Sequence, residues 1–289
     1  TLAVVTNIDL EHLETYKDIN DIKDTFARFL SNIPFYGKAI VCIDDPHIRS
    51  ILPIDHIKTI HYGLTPEADI YATDIVLHPD HSEFVAHKKN SPSPLGKVFF
   101  AMPGIHNIQN ALGAIALSLE LDIPFETISL ALQSFKGVDR RFTYRGSLKG
   151  TDIFDDYGHH PNEILQTLKV ARNRTKNRLT VVFQPHRFTR TYHLWDHFLE
   201  VLNNTQIDHL VITDIFPASE APIEDVTSAR LVAELKKLNP ALSVSYIPYE
   251  ADFQQIIEHL APHLQKNDLL LLLGAGKVNK IAEKLLPLP

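Results

Sequence analysis

Residues 151–163 read Thr151-Asp152-Ile153-Phe154-Asp155-Asp156-Tyr157-Gly158-His159-His160-Pro161-Asn162-Glu163. An extended half-apolar run ends in two acids, a glycine turns the chain, and a proline opens a helical pattern to Arg174. Pro fits a first helical turn because its missing N–H has no partner there. The stretch is one β-α unit, and polar side chains sit where its strand ends.

Four more strands follow the same logic downstream, at 178–184, 209–215, 243–247 and 268–273, with helical patterns at 192–203, 228–238, 252–264 and 278–285. Alternating strands and helices of this kind predict a parallel sheet covered on both faces, a doubly wound domain. Upstream, strands are expected at 3–6 and 38–43. A helix is expected over 18–33, with Ile22, Phe26, Phe29 and Leu30 on one face. Asp45-Pro46 should cap and start a short helix. Residues 68–102 alternate differently and predict a small antiparallel patch, followed by helices over 107–121 and 124–135. The boundary between the halves is expected near Phe142, giving domains 1–142 and 143–289.

The chain has 289 residues, 44% hydrophobic and 22% charged, with a net charge of -7. That balance gives no electrostatic support for nucleic-acid binding. The single cysteine, Cys42, excludes an intrachain disulfide and reads as a small buried hydrophobe; a cytoplasmic setting is expected. No apolar run approaches the roughly 18 residues of a membrane span. Thr1 opens directly on a strand pattern, so a cut through a larger protein is expected.

Ligands of open α/β sheets bind beyond the carboxyl ends of strands, and six polar clusters fall there. Thr6-Asn7-Ile8-Asp9-Leu10-Glu11-His12 is a metal-binding segment or a charged capping loop. Gly104-Ile105-His106-Asn107-Ile108-Gln109-Asn110 enters a helix, where Asn107 is a cap or a ligand contact. Asp139-Arg140-Arg141 offers two guanidinium forks for phosphate or carboxylate, or an interdomain ion pair. Asp155 to His160 suits catalysis or an Asp/His metal site. In Gln184-Pro185-His186-Arg187-Phe188-Thr189-Arg190, two arginines three apart can face one anion, or they belong to a solvated helix start. Gly274-Ala275-Gly276-Lys277 is a phosphate cradle or a tight structural turn, and Lys277 receives no role. The P-loop pattern G-x-x-x-x-G-K-[ST] is not in the chain.

Together these clusters resemble the ATP-dependent ligases of peptidoglycan synthesis, the Mur ligases. Thr6-Asn7-Ile8 with His12 is similar to the family's TNI-x-x-DHLD segment, with Glu11 and Glu14 replacing its aspartates. His106-Asn107 with Asn110 resembles its HN-x-x-N helix start, and Asp156 to Pro161 its D-Y-x-H-x-P turn. The GHHP and FQPHRFTRT segments, with residues 32–37 and 42–46, are similar to the branch that adds L-alanine.

The resemblance implies an N-terminally truncated ATPase-type α/β domain followed by a C-terminal Rossmann-like domain. It implies ATP and magnesium as cofactors, and UDP-N-acetylmuramate and L-alanine as substrates joined through an acyl phosphate. It implies His12 as metal ligand. His106, Asn107 and Asn110 would serve the adenine, Arg140 and Arg141 phosphate, and Asp156 the ribose hydroxyls. His160, His186, Arg187 and Arg190 would form the catalytic set. The family's P-loop would lie before Thr1, so the 289-residue chain alone is expected to be inactive. A sister ligase for another amino acid or peptide, and a non-catalytic nucleotide-binding domain, are the alternatives.

Overall fold

The computed structural model describes residues 1–11 and 15–286. The chain divides into two units, Thr1–Lys136 and Gly137–Pro289.

The first unit is built on a six-stranded sheet in sequence order. Strands β1 (Leu2–Val5), β2 (Lys38–Cys42), β3 (Lys58–Gly63) and β4 (Ile70–Leu77) run parallel, and β5 (Ser82–Lys88) and β6 (Gly96–Phe100) continue it antiparallel. Helix α1 (Ile19–Ser31) is capped by Asp18, whose carboxylate accepts from Asn20 N at 2.8 Å and Asp21 N at 3.1 Å. Its buried face is Ile22 and Leu30; Phe29 is 52% exposed because it lies at the rim of that stripe. Asp45 caps the short α2 (Pro46–Ser50) through Ile48 N. Helix α3 (Ile105–Glu120) buries Ile108, Ala111, Leu112 and Ile115 in the unit's core, and α4 (Phe125–Ser134) follows. Cys42 is buried, which raises its thiol pKa to about 11.

The second unit has strand order β11-β10-β9-β12-β8-β7. Here β7 is Thr143–Leu148, β8 Thr151–Asp156, β9 Leu179–Phe183, β10 His209–Ile212, β11 Val244–Tyr246 and β12 Leu269–Leu273. All are parallel except the edge strand β7. The five leucines of β12 are buried between β8 and β9, as expected of a strand covered on both faces. Helices α5 (Pro161–Arg174), α6 (Phe188–His193), α7 (Trp195–Asn204), α8 (Ser228–Leu238), α9 (Gln254–Leu260) and α10 (Lys280–Leu285) complete the unit. One helix was expected over 192–203; a break at Leu194 makes it two. The expected strand 209–215 ends at Ile212, and the freed residues 213–216 form a loop at its carboxyl end.

The Asp139–Phe142 turn goes with this second unit for a physical reason. Tyr157 N donates to Arg140 O at 2.7 Å, and Phe142 N donates to the buried Asp156 carboxylate at 2.8 Å.

Candidate active site

In the first unit, the carboxyl ends of β2 and β3 and the start of α3 are tied by one carboxylate. Asp44 accepts from Leu64 N at 2.9 Å and from Gln109 Nε2 at 2.7 Å. This places His106, Asn107 and Asn110 at the strand ends, as the sheet geometry requires of a ligand site. Gly104, at φ 99°, is the residue before the helix, so Asn107 is not its cap. Asn107 instead sits in the first turn and donates to Pro103 O at 2.7 Å. Asn110 is exposed. Neither Asp44 nor Gln109 was singled out from the sequence; an acid pair directly after an apolar strand was the available signal.

His12 lies outside the described residues. Asp45 accepts from Ile48 N and Ile8 N, and Asp44 is engaged as above. These two acids therefore hold the loops together, and among the described residues of this end no set of oxygen ligands for magnesium is assembled.

In the second unit the ends of β8, β9, β10 and β12 converge. Asp155 is fully buried and pairs with Arg145 Nη2 at 2.7 Å and Arg140 Nε at 3.4 Å. Arg140 also donates to Gly274 O at 2.6 Å and lies 4.9 Å over the Tyr157 ring. Arg141 is more open and meets Glu163 at 3.1 Å. The two arginines thus differ: Arg140 is a strut within this unit and Arg141 an exposed cation. Asp156 accepts from Gly158 N at 2.7 Å and from Phe142 N. Burial holds its carboxyl above the ordinary range, against the pull of those two donors and Arg141. His160 is buried and caps α5 in a reciprocal capping box with Glu163. That box orients the turn that presents His159.

His159 and His186 face each other with ring centroids 5.8 Å apart, joining the β8 and β9 ends. His186 stacks on Phe216 at 5.3 Å, and Arg187 N donates to Phe216 O at 2.8 Å. Arg187 has φ 71° and ψ 133°, a strained conformation for a side chain this large, held by these contacts. Its Nε lies 3.3 Å from Glu220, which also accepts from Thr189 N and Oγ1. Arg190 Nη1 donates to His186 O at 3.2 Å. The two arginines therefore have different partners, Glu220 and His186. Phe216 and Glu220 escaped the sequence reading because their segment lies in a loop that the strand pattern had claimed in part.

Gly274-Ala275-Gly276 is a packed turn. Gln184 is buried, its N donates to Leu273 O at 3.0 Å, and its Oε1 accepts from Lys277 N at 2.9 Å. A Cβ on Gly274 would lie 2.5 Å from Gln184 O. The glycines are explained by that close approach.

Residues 1–118 match the family model of the Mur ligase middle domain, and residues 140–276 that of the Mur ligase glutamate ligase domain. The chain belongs to the Mur ligase family. Mur ligases are ATP-dependent ligases of peptidoglycan precursor synthesis. The chain is 45% identical over 287 residues to the UDP-N-acetylmuramate–L-alanine ligase of Geobacter sp. (strain M21), covering 99% of this chain and 60% of that protein. It is 44% identical to the protein of that name from Syntrophus aciditrophicus, covering 99% and 58%. Solved Mur ligases share the fold. UDP-N-acetylmuramate-alanine ligase of Thermotoga maritima has a TM-score of 0.73 at 21% identity, covering 98% of this chain and 58% of that one. The MurF ligase of the same organism, in complex with ADP, also gives 0.73 at 19% identity, covering 98% and 61%. The chain thus spans about 60% of the length of the curated Mur ligases it matches. No helix among the described residues is long and apolar enough to cross a membrane.

His186 yields a stability prediction. Burial, then His159, Arg190 and Arg187, push its pKa from 6.5 to about 4, against Glu220. The folded state therefore favours the neutral ring. Above pH 6.5 both states hold it neutral; as pH falls from 6.5 to about 4 the unfolded chain takes up a proton that the folded one refuses, and stability drops. Urea midpoints across this range should fall more steeply for the wild type than for His186→Gln. Parallel slopes would refute the shift.

Proposed function

We propose that this chain forms the nucleotide- and amino-acid-handling part of a cytoplasmic ligase joining L-alanine to UDP-N-acetylmuramate. The observation that carries the reading is the His186, Arg187, Arg190 cluster at the β9 end, facing His159. It follows a strand of pure core character in a chain 45% identical to a ligase of that name. In the reaction the lactyl carboxylate attacks the γ-phosphorus of ATP, giving an acyl phosphate and ADP. The alanine amine then attacks the acyl carbon, phosphate leaves, and an amide and a proton are released.

The second unit supplies positive charge for this chemistry. Arg190 can hold His186 through one nitrogen and offer its planar fork to the alanine carboxylate. Arg187, oriented by Glu220, stands beside it for the acyl phosphate. His186 remains neutral and is too weak a base, near pKa 4, to take the proton of an ammonium at neutral pH; it serves as a hydrogen-bond partner. His160 acts by fixing the turn that presents His159. Arg141 suits a phosphate better than Arg140, which is engaged by Asp155 and Gly274 O. Asp156, bonded to Thr167 as well as to two backbone N–H groups, would serve the ribose hydroxyls. In the first unit His106, Asn107 and Asn110 serve the adenine. Magnesium, with His12 as its proposed ligand, would neutralise phosphate charge, and no step is routed through it.

The adenine assignment is tested by ADP titration calorimetry on the complete polypeptide. Removing one side-chain hydrogen bond by Asn110→Ala should weaken binding about two- to thirteenfold, at about 0.5–1.5 kcal/mol. Unchanged affinity would remove Asn110 from the nucleotide site.

A further inference from the structure

The β4–β5 hairpin carries a group of side chains that the ligase chemistry does not use. Its strands are joined by His78-Pro79-Asp80-His81, closed by His78 N donating to His81 O at 2.9 Å. The short turn brings His78, His81 and Glu83 together, each offering one ligand atom, all within 4.8 Å of one another. Glu83 Oε1 lies 3.6 Å from His81 Nε2 and 3.9 Å from His78 Nε2. Two ligands at 2.0–2.2 Å from a tetrahedral zinc ion are about 3.3–3.6 Å apart, so small rotamer changes complete the geometry.

A second observation is independent of that proximity. Asp80 Oδ1 sits 2.7 Å from His81 Nδ1. A carboxylate on Nδ1 fixes the tautomer that leaves the Nε2 lone pair toward Glu83, the arrangement that supports a metal-bound imidazole. The His81 ring is backed by Phe99 at 4.5 Å, which restricts its rotation, while the His78 ring stacked on it at 4.1 Å is the one that turns to share an ion in the plane of both rings. Lys97 Nζ pairs with Glu83 Oε2 at 2.5 Å, and Oε1 is the oxygen nearest the two imidazoles.

We propose that His78, His81 and Glu83 bind a divalent transition-metal ion of the zinc class, with Asp80 orienting His81. Two imidazoles and one carboxylate select zinc, nickel or cobalt over magnesium, which prefers oxygen ligands. The site lies on the turn after β4 and uses none of the residues assigned to the ligase chemistry; its remaining coordination positions would be taken by water. The other histidine group, His209 with His259 and His263, is of a different kind. Its two closest nitrogens, His209 Nε2 and His259 Nε2, lie 3.0 Å apart and hydrogen-bond to each other.

The test is a titration of the EDTA-treated chain with Co2+, followed by visible absorption, then displacement by Zn2+ in calorimetry with excess Mg2+ present. One equivalent should bind. His78→Ala and His81→Ala should each weaken binding at least a hundredfold, and Asp80→Asn roughly ten- to a hundredfold. Lys97→Ala should tighten it, because Glu83 loses a competing partner. Glu83→Gln covers the case in which a histidine variant fails to fold, and metal-free melting curves establish folding. Wild-type affinity in both His78→Ala and Glu83→Gln, or loss confined to His259→Ala, would overturn the proposal.

Discussion

Gly274→Ala is expected to destabilise the second unit by about 3 kcal/mol, through overpacking and backbone strain together. Gly274 adopts φ 141°, which L side chains rarely adopt, and an added Cβ would sit 2.5 Å from the Gln184 carbonyl oxygen. Little can move: Gln184 N is bonded to Leu273 O, and Gly274 N to Asp156 O at 3.0 Å. In a unit of about 150 residues this corresponds to a melting-temperature drop of roughly 6–12 °C. Gly276→Ala should cost less, because its Cβ meets the Gln184 side chain, which can swing away at the expense of the bond to Lys277 N. Thermal melts of both variants check this. Equal, small shifts would mean that the turn is not locked by the Gln184 backbone.

The largest functional effect is expected for Arg190→Lys. The guanidinium reaches His186 O at 3.2 Å and His186 Nδ1 at 3.4 Å, and the proposed role adds the alanine carboxylate to those contacts. A lysine ammonium cannot do both. Loss of one charge-assisted contact costs roughly 1.5–3 kcal/mol, or about ten- to a hundredfold. The increase should fall on the KM for L-alanine, with little change for UDP-N-acetylmuramate. Arg187→Lys should lower kcat as well, since charge develops on the acyl phosphate beside it. An unchanged alanine KM in both variants would remove the arginines from the amino-acid site.

Much of this architecture was legible because burial dictates pattern. The leucines of β12 and the run Leu179–Phe183 are covered on both faces, and so they read as strands without ambiguity. The helix starts at Pro46 and Pro161, and the Asp45 cap, were legible because this chemistry is local; the His160 cap was not read. Strand β7 was missed: it is an edge strand of mixed polarity, with its register shifted between Tyr144 and Gly146, so no period of two survives. Strand β3 was missed because Lys58, Thr59 and His61 interrupt its apolar positions. The candidate site was legible as segments at strand ends but not as contacts. Nothing in residue spacing pairs Arg187 with Glu220, or Asp44 with Gln109, because those pairings depend on loops packed from distant parts of the chain.

Product formation measures the proposed activity directly. A polypeptide that joins this chain to the part of the relatives' length it does not span is supplied with ATP, Mg2+, UDP-N-acetylmuramate and one amino acid at a time. The nucleotide products are read by mass spectrometry, with ADP release in parallel. The proposed ligase activity predicts that L-alanine gives the amide adduct and stoichiometric ADP, well ahead of glycine, L-serine or D-glutamate. An adduct formed preferentially with another amino acid or with a peptide, or no adduct from a folded protein that binds ATP, would contradict it.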